Sequence, residues 1–203
     1  MNDKIDLAQA EAISDLINAA TDTVTGTIAV GADPYGVAVT PNGNTAYVTN
    51  ASGGTVSVID TATGTVTRTI AVGSEPLGIA VNPTGTTAYV VNGNNGTVSV
   101  IDTATGTVTH TIAVGTDPTG VAVSADGTVA YVANSADGTL TVIDTATNTV
   151  VGTDTVGSAP GAVAIGPGGA VYTVNTADNT LTTIDLDPGA NTTASGPAIT
   201  NGT

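Results

Sequence analysis

The chain has 203 residues, of which 17 are Asp or Glu and 2 are Lys or Arg, giving a formal net charge of -15. So acidic a chain is a poor partner for nucleic acid or an anionic membrane, because phosphate binding needs clustered Lys and Arg. Cys is absent and His occurs once, which excludes disulfides, thiolate metal sites, cysteine nucleophiles and a multi-histidine centre within one copy.

Hydrophobic residues reach 40% and charged residues only 9%, a balance unlike that of disordered acidic chains. Abundant Val, Ile and Thr with 26 Gly predict many short strands. No run approaches the ~18 apolar residues of a membrane-spanning helix. Met1 to Ala20 has no continuous apolar stretch of the secretory type. The protein is therefore expected to stay inside the cell or to take its export signal from outside this sequence.

In chain order, residues 1–22 come first as a helical segment. Ile13, Leu16, Ile17 and Ala20 form an i, i+3, i+4, i+7 stripe, which predicts a short amphipathic helix. From residue 23 the chain repeats itself, and the repeat runs to 190. Tyr47, Tyr89, Tyr131 and Tyr172 are spaced 42, 42 and 41 apart, as are Asp60, Asp102, Asp144 and Asp185. Pro34, Pro76, Pro118 and Pro160 are spaced 42 throughout, so the single deletion falls between Pro160 and Tyr172, at the turn around Gly168 and Gly169.

Each copy reads as four strands. In the first copy they are 36–40, 45–50, 55–60 and 65–72, joined by turns rich in Pro, Asn and Gly. The fourth copy stops after its third strand, 180–185. An additional strand of the fourth type, Thr23 to Val30, precedes the first copy and would pair into the last one to close a ring, unless residues 191–200 take that place. Four antiparallel strands in a unit of about 40–45 residues are the pattern of a β-propeller blade. The expected fold is all-β: a propeller of four ~42-residue, four-stranded antiparallel blades. It would form a small, partial or oligomer-completed ring, with a helix before it and a tail over 191–203.

Tyr-Val-Thr-Asn at 47–50, Tyr-Val-Val-Asn at 89–92, Tyr-Val-Ala-Asn at 131–134 and Tyr-Thr-Val-Asn at 172–175 resemble the YVTN repeat. Thr-Val-Ser-Val-Ile-Asp-Thr-Ala-Thr-Gly at 55–64 and 97–106 goes with them. The resemblance implies a β-propeller of the kind found in surface-layer and exported bacterial proteins, often seven-bladed. Four repeats depart from that number, so a fragment, or a homodimer completing an eight-bladed ring, enters as an alternative to four-bladed closure.

Four sets of residues carry candidate chemistry. Asp33, Glu75 and Asp117 each precede a repeated Pro, with Ala159 in the fourth copy. Converging near a propeller axis, three carboxylates would bind Ca2+ or another divalent cation; as ordinary loop residues they would simply stay solvated. Asp60, Asp102, Asp144 and Asp185 begin tight turns and are expected to accept backbone N–H bonds from two residues on. Asn50, Asn92, Asn134 and Asn175 are expected to bond loop backbone, and the Tyr of the same motif to pack between blades. His110 and Arg68 share one position on the fourth strand and are expected on the outer rim.

Repetition argues against catalysis, because an active site needs a unique constellation. No catalytic residue and no cofactor beyond the cation is therefore expected. The function read from the sequence is a non-enzymatic binding or structural scaffold for protein or glycan contacts, in an exported or cell-surface protein. The alternative is an enzyme of the propeller lactonase or lyase kind whose active site is incomplete in this chain.

Overall fold

The computed structural model describes residue 24 and residues 26–185. The helix expected within 1–22 and the tail at 191–203 lie outside the described residues. Fifteen strands form four antiparallel sheets. The first blade holds β1 (Pro34–Val39), β2 (Thr45–Asn50), β3 (Thr55–Asp60) and β4 (Thr65–Ala71). The second holds β5 (Pro76–Val81), β6 (Thr87–Asn92), β7 (Thr97–Asp102) and β8 (Thr107–Ala113). The third holds β9 (Pro118–Val123), β10 (Val129–Asn134), β11 (Thr139–Asp144) and β12 (Thr149–Thr155). Among the described residues the fourth has three strands: β13 (Pro160–Ile165), β14 (Val171–Asn175) and β15 (Thr180–Ile184).

Each innermost strand opens on its Pro. A residue without an N–H is tolerated at a strand's first position, and the ladder is irregular just after it. The short turns that follow are closed by side chains. In the first blade Thr40 Oγ1 donates to Asn42 Oδ1 at 2.7 Å, and Asn42 Oδ1 accepts the Asn44 N–H at 3.0 Å. In the third blade Ser124 and Asp126 play the same parts.

The core lies between blades. Tyr47, Val56 and Ile70 of the first blade pack against Ala88, Val90 and Ile101 of the second. Tyr89, Val91 and Val98 meet Ala130, Val132 and Ile143. Tyr131, Ala133 and Leu140 meet Val171 of the fourth blade. Burying each Val, Leu or Ile in these seams contributes about 1.5–3 kcal/mol, and it explains why both faces of an interior blade are apolar. Along β2, Tyr47 and Thr49 face the following blade while Ala46 and Val48 face the opposite side, as a period of two requires.

The blades form an open arc. β1 packs on β5, β5 on β9 and β9 on β13, and among the described residues no contact of that extent joins β13 to β1. The two end faces stay exposed. On the first blade Tyr35 is 65% and Val37 67% exposed; on the fourth Leu181 is 58% and Val174 41% exposed. Tyr172, also on that end face, is 37% exposed, whereas Tyr47, Tyr89 and Tyr131 are 2%.

The expected closure of a four-bladed ring by Thr23 to Val30 is not found. Residues 26–30 form no strand, and Ile28 lies beside Gly64 in the outer turn of the first blade rather than against β15.

Candidate functional site

The four motif asparagines are buried and make the same three bonds in each blade. Asn92 Oδ1 accepts the Gly73 N–H at 3.0 Å, and its Nδ2 donates to Thr97 Oγ1 at 3.1 Å and Ser99 Oγ at 3.0 Å. Asn50 does this with Gly31, Thr55 and Ser57, and Asn134 with Gly115, Thr139 and Thr141. Asn175 repeats it with Gly157, Thr180 and Thr182. The lock ties the segment entering a blade to its second and third strands. The glycine is required by close approach: a Cβ on Gly73 would stand 2.5 Å from Asn92 Cγ, and Gly31, Gly115 and Gly157 would meet their asparagines at the same distance. Sequence reasoning missed these glycines, although their own 42-residue spacing carried the signal.

The lock fixes the loops around Asp33, Glu75, Asp117 and Ala159. All four are left-handed, with φ of 57°, 56°, 52° and 53°. Only Gly, and to a lesser degree Asp and Asn, adopts this region without strain. Each carbonyl there accepts the N–H of the residue after the motif asparagine: Ala51, Gly93, Ser135 and Thr176, at 2.8–3.0 Å. Asp137 and Asp178 add carboxylate bonds of 2.6 Å to the Thr116 and Ser158 N–H groups.

Asp33, Glu75 and Asp117 thus lie at equivalent places on three successive blades. Glu75 Oε2 and Asp117 Oδ1 flank Gly93, each within 3.5 Å of where a Cβ on it would stand. Asp33 accepts instead from Ser52 Oγ at 3.3 Å in its own blade. Among the described residues no group of three or more His, Asp or Glu side chains is placed to hold a metal ion. The carboxylates follow the arc, one per blade.

The turn aspartates behave as structural residues, with one difference from expectation. Asp60 Oδ1 accepts from the N–H of Thr63, three residues on rather than two, at 2.8 Å, and from its hydroxyl at 3.0 Å. Asp102 and Asp144 repeat this with Thr105 and Thr147. The turn is one residue longer than a simple Asx turn, closed by the Gly64 N–H on the Asp60 carbonyl with Gly64 left-handed. These backbone N–H bonds, then the threonine hydroxyls, hold the three carboxyls below the ordinary Asp range. Burial raises the phenols of Tyr47, Tyr89 and Tyr131 above the ordinary Tyr value.

Arg68 and His110 are exposed on the outer strands, and each touches the next blade. The Arg68 guanidinium donates to the Thr105 carbonyl, and His110 Nδ1 lies 3.5 Å from Asn148 Nδ2. Neither reaches the loops that carry Asp33, Glu75 and Asp117.

A family model described as a YNCE-like beta-propeller matches residues 75–190. Comparison with curated proteins finds no match. Among solved structures, the chain resembles Kuenenia stuttgartiensis hydrazine synthase at 29% identity and a TM-score of 0.68, covering 81% of this chain and 53% of that one. It resembles a functionally unknown protein from Desulfotomaculum acetoxidans at 20% identity and a TM-score of 0.61, covering 75% and 55%. It also resembles U3-55K at 15% identity and a TM-score of 0.63, covering 77% and 53%. The chain therefore spans 53–55% of the length of these structures.

Proposed function

Because the chain belongs to the YNCE-like β-propeller family, we propose that it is a non-enzymatic scaffold whose loop rim makes protein or glycan contacts, in an exported or cell-surface protein. One observation supports this reading above the others. The polar residues repeated in every blade are consumed by the fold, while the residues set on the frame they build differ from blade to blade. Asparagine, glycine and turn aspartate recur at fixed places, the asparagine accepting from the glycine N–H and the aspartate from a threonine three residues on. Around them the exposed loop residues two places after the motif asparagines vary: Ser52, Asn94, Ala136 and Ala177. A constant frame carrying variable loop residues suits recognition, and the acidic charge favours cationic groups on the partner.

The test is binding of the immobilised chain to arrayed glycans and basic peptides at low and high salt. An Asp33→Asn, Glu75→Gln, Asp117→Asn triple variant should lose binding while its thermal midpoint stays in place. Unchanged binding by that variant would refute the rim as the contact surface. Turnover of a lactone by the unaltered chain would refute the non-enzymatic reading.

A further inference from the structure

We infer that two copies of this chain join head to tail into one eight-bladed ring, each copy lending residues 26–30 as the fourth strand of the other's last blade. The chain carries both halves of an interface that it already uses three times internally. The exposed face of the fourth blade, with Tyr172 and Val174, corresponds to the faces of Tyr47 and Thr49, Tyr89 and Val91, and Tyr131 and Ala133. Each of those is buried against the blade that follows. The exposed face of the first blade, with Val37 and Val48, corresponds to the face of Ile79 and Val90 that receives Tyr47. A second copy offers the missing counterpart to both end faces at once, and two such junctions close by a two-fold rotation.

The strands argue the same way. Residues 26–30 repeat Arg68 to Val72 at a spacing of 42. Gly31, which follows the segment, is held by Asn50 as Gly73 is held by Asn92 one blade further on, and Ile28 lies beside Gly64 of the first blade. The segment thus occupies the place of a fourth strand belonging to a blade before the first. In the fourth blade, conversely, the outer edge of β15 has no partner among the described residues, and such an edge is a template for an added strand. Transferring the β3–β4 register, in which Val56 faces Ile70 and Ser57 faces Thr69, sets Leu181 opposite Ile28 and Thr182 opposite Thr27.

One contact must differ. Gly36 and Gly78 let the next inner strand approach, their absent Cβ atoms standing 2.5 and 2.7 Å from the carbonyls of Leu77 and Thr119. Ala162 takes that position on the fourth blade, so the inner strands at the junction stand further apart than within the chain. The inference concerns assembly and holds or fails independently of what the loop rim binds.

The test uses the absence of native cysteine. Full-length chains carrying Thr27→Cys and Thr182→Cys are mixed under mild oxidation, and light scattering with small-angle X-ray scattering is recorded on the unaltered chain. The expected result is a covalent dimer from the mixture but not from either variant alone, and a dimer with a ring-shaped profile. Dimerisation should tighten with added salt, which screens the like charges, and with Ala162→Gly, and it should be lost in Leu181→Asp. A monomer that forms no cross-link overturns the inference. So does an intrachain disulfide in the double variant, which would mean that the segment closes its own chain, and so does a dimer that Leu181→Asp leaves intact.

Discussion

Replacing Asn92 by Ala removes three hydrogen bonds at a fully buried position and leaves the Gly73 N–H without its acceptor. At about 1 kcal/mol per bond the loss is about 3 kcal/mol. In an array of this size each kcal/mol moves the midpoint by about 2–4 °C, so Asn92→Ala lowers Tm by about 6–12 °C. The sharper test is the partner. Gly73 has no left-handed φ, so Ala is acceptable to its backbone and would by itself stabilise by about 0.4–1 kcal/mol. What forbids it is Asn92, whose Cγ would lie 2.5 Å and Nδ2 2.8 Å from the new methyl. That overlap costs about 1–3 kcal/mol. In an Asn92→Ala background both atoms are gone and only the Cβ, at 2.8 Å, still presses on it. Urea denaturation of the four proteins in this cycle should therefore give a coupling of at least about 1 kcal/mol, with the double variant more stable than the sum of its parts. Additive losses would refute the argument that the glycine is there to admit the asparagine.

Three further outcomes follow from the same geometry. Gly120→Ala places a methyl against the Gly161 carbonyl, a backbone atom that cannot swing aside; it should cost about 2–3 kcal/mol and loosen the fourth blade, read as faster amide exchange in β13 and β14. Ala159→Gly relieves a left-handed alanine and should raise stability by about 0.5–1 kcal/mol after the entropy of the added glycine is counted, measured by the denaturation midpoint. The carboxyls of Asp60, Asp102 and Asp144 are held below their unfolded values. Their contribution is therefore present above the ordinary Asp pKa of about 3.9 and is lost as pH falls through the lower folded value. Thermal midpoints taken from pH 5 downward should drop, and a triple Asp→Ala variant should show a shallower fall.

The repeat made the strands legible before any coordinate was known. The second and third strands of the first blade fall at 45–50 and 55–60 as expected, and the first begins two residues earlier, on Pro34. The Asp turns were legible too, because their chemistry is local. What did not show was everything set by a partner far along the chain. The acceptor role of Asn92 depends on Gly73, 19 residues before it, and the close approach at Gly36 depends on Leu77, 41 residues after it. Neither leaves a local pattern, only a coincidence of spacings. The left-handed turn at Glu75 was hidden for a different reason: a Glu before Pro carries no ordinary signature of that conformation. That Asp33, Glu75 and Asp117 stand one to a blade was legible in the spacing of their prolines; that the blades pack as an open arc was not, because periodicity does not state which faces meet.

The open arc also changes how the molecule comes apart. Each blade shares its apolar seams only with its neighbours, so its stability behaves as a chain of nearest-neighbour terms. Within a single copy the second and third blades are clamped on both sides, whereas the first and fourth are clamped on one. In a separated copy loss of structure should begin at the fourth blade, which has a strand fewer among the described residues, and travel inward, with the Asn92 and Asn134 locks the last to open. During synthesis the order reverses in favour of the ribosome. Each new blade finds a finished face waiting for it, so the chain can fold at the pace at which it emerges, without holding an unpaired half in solution.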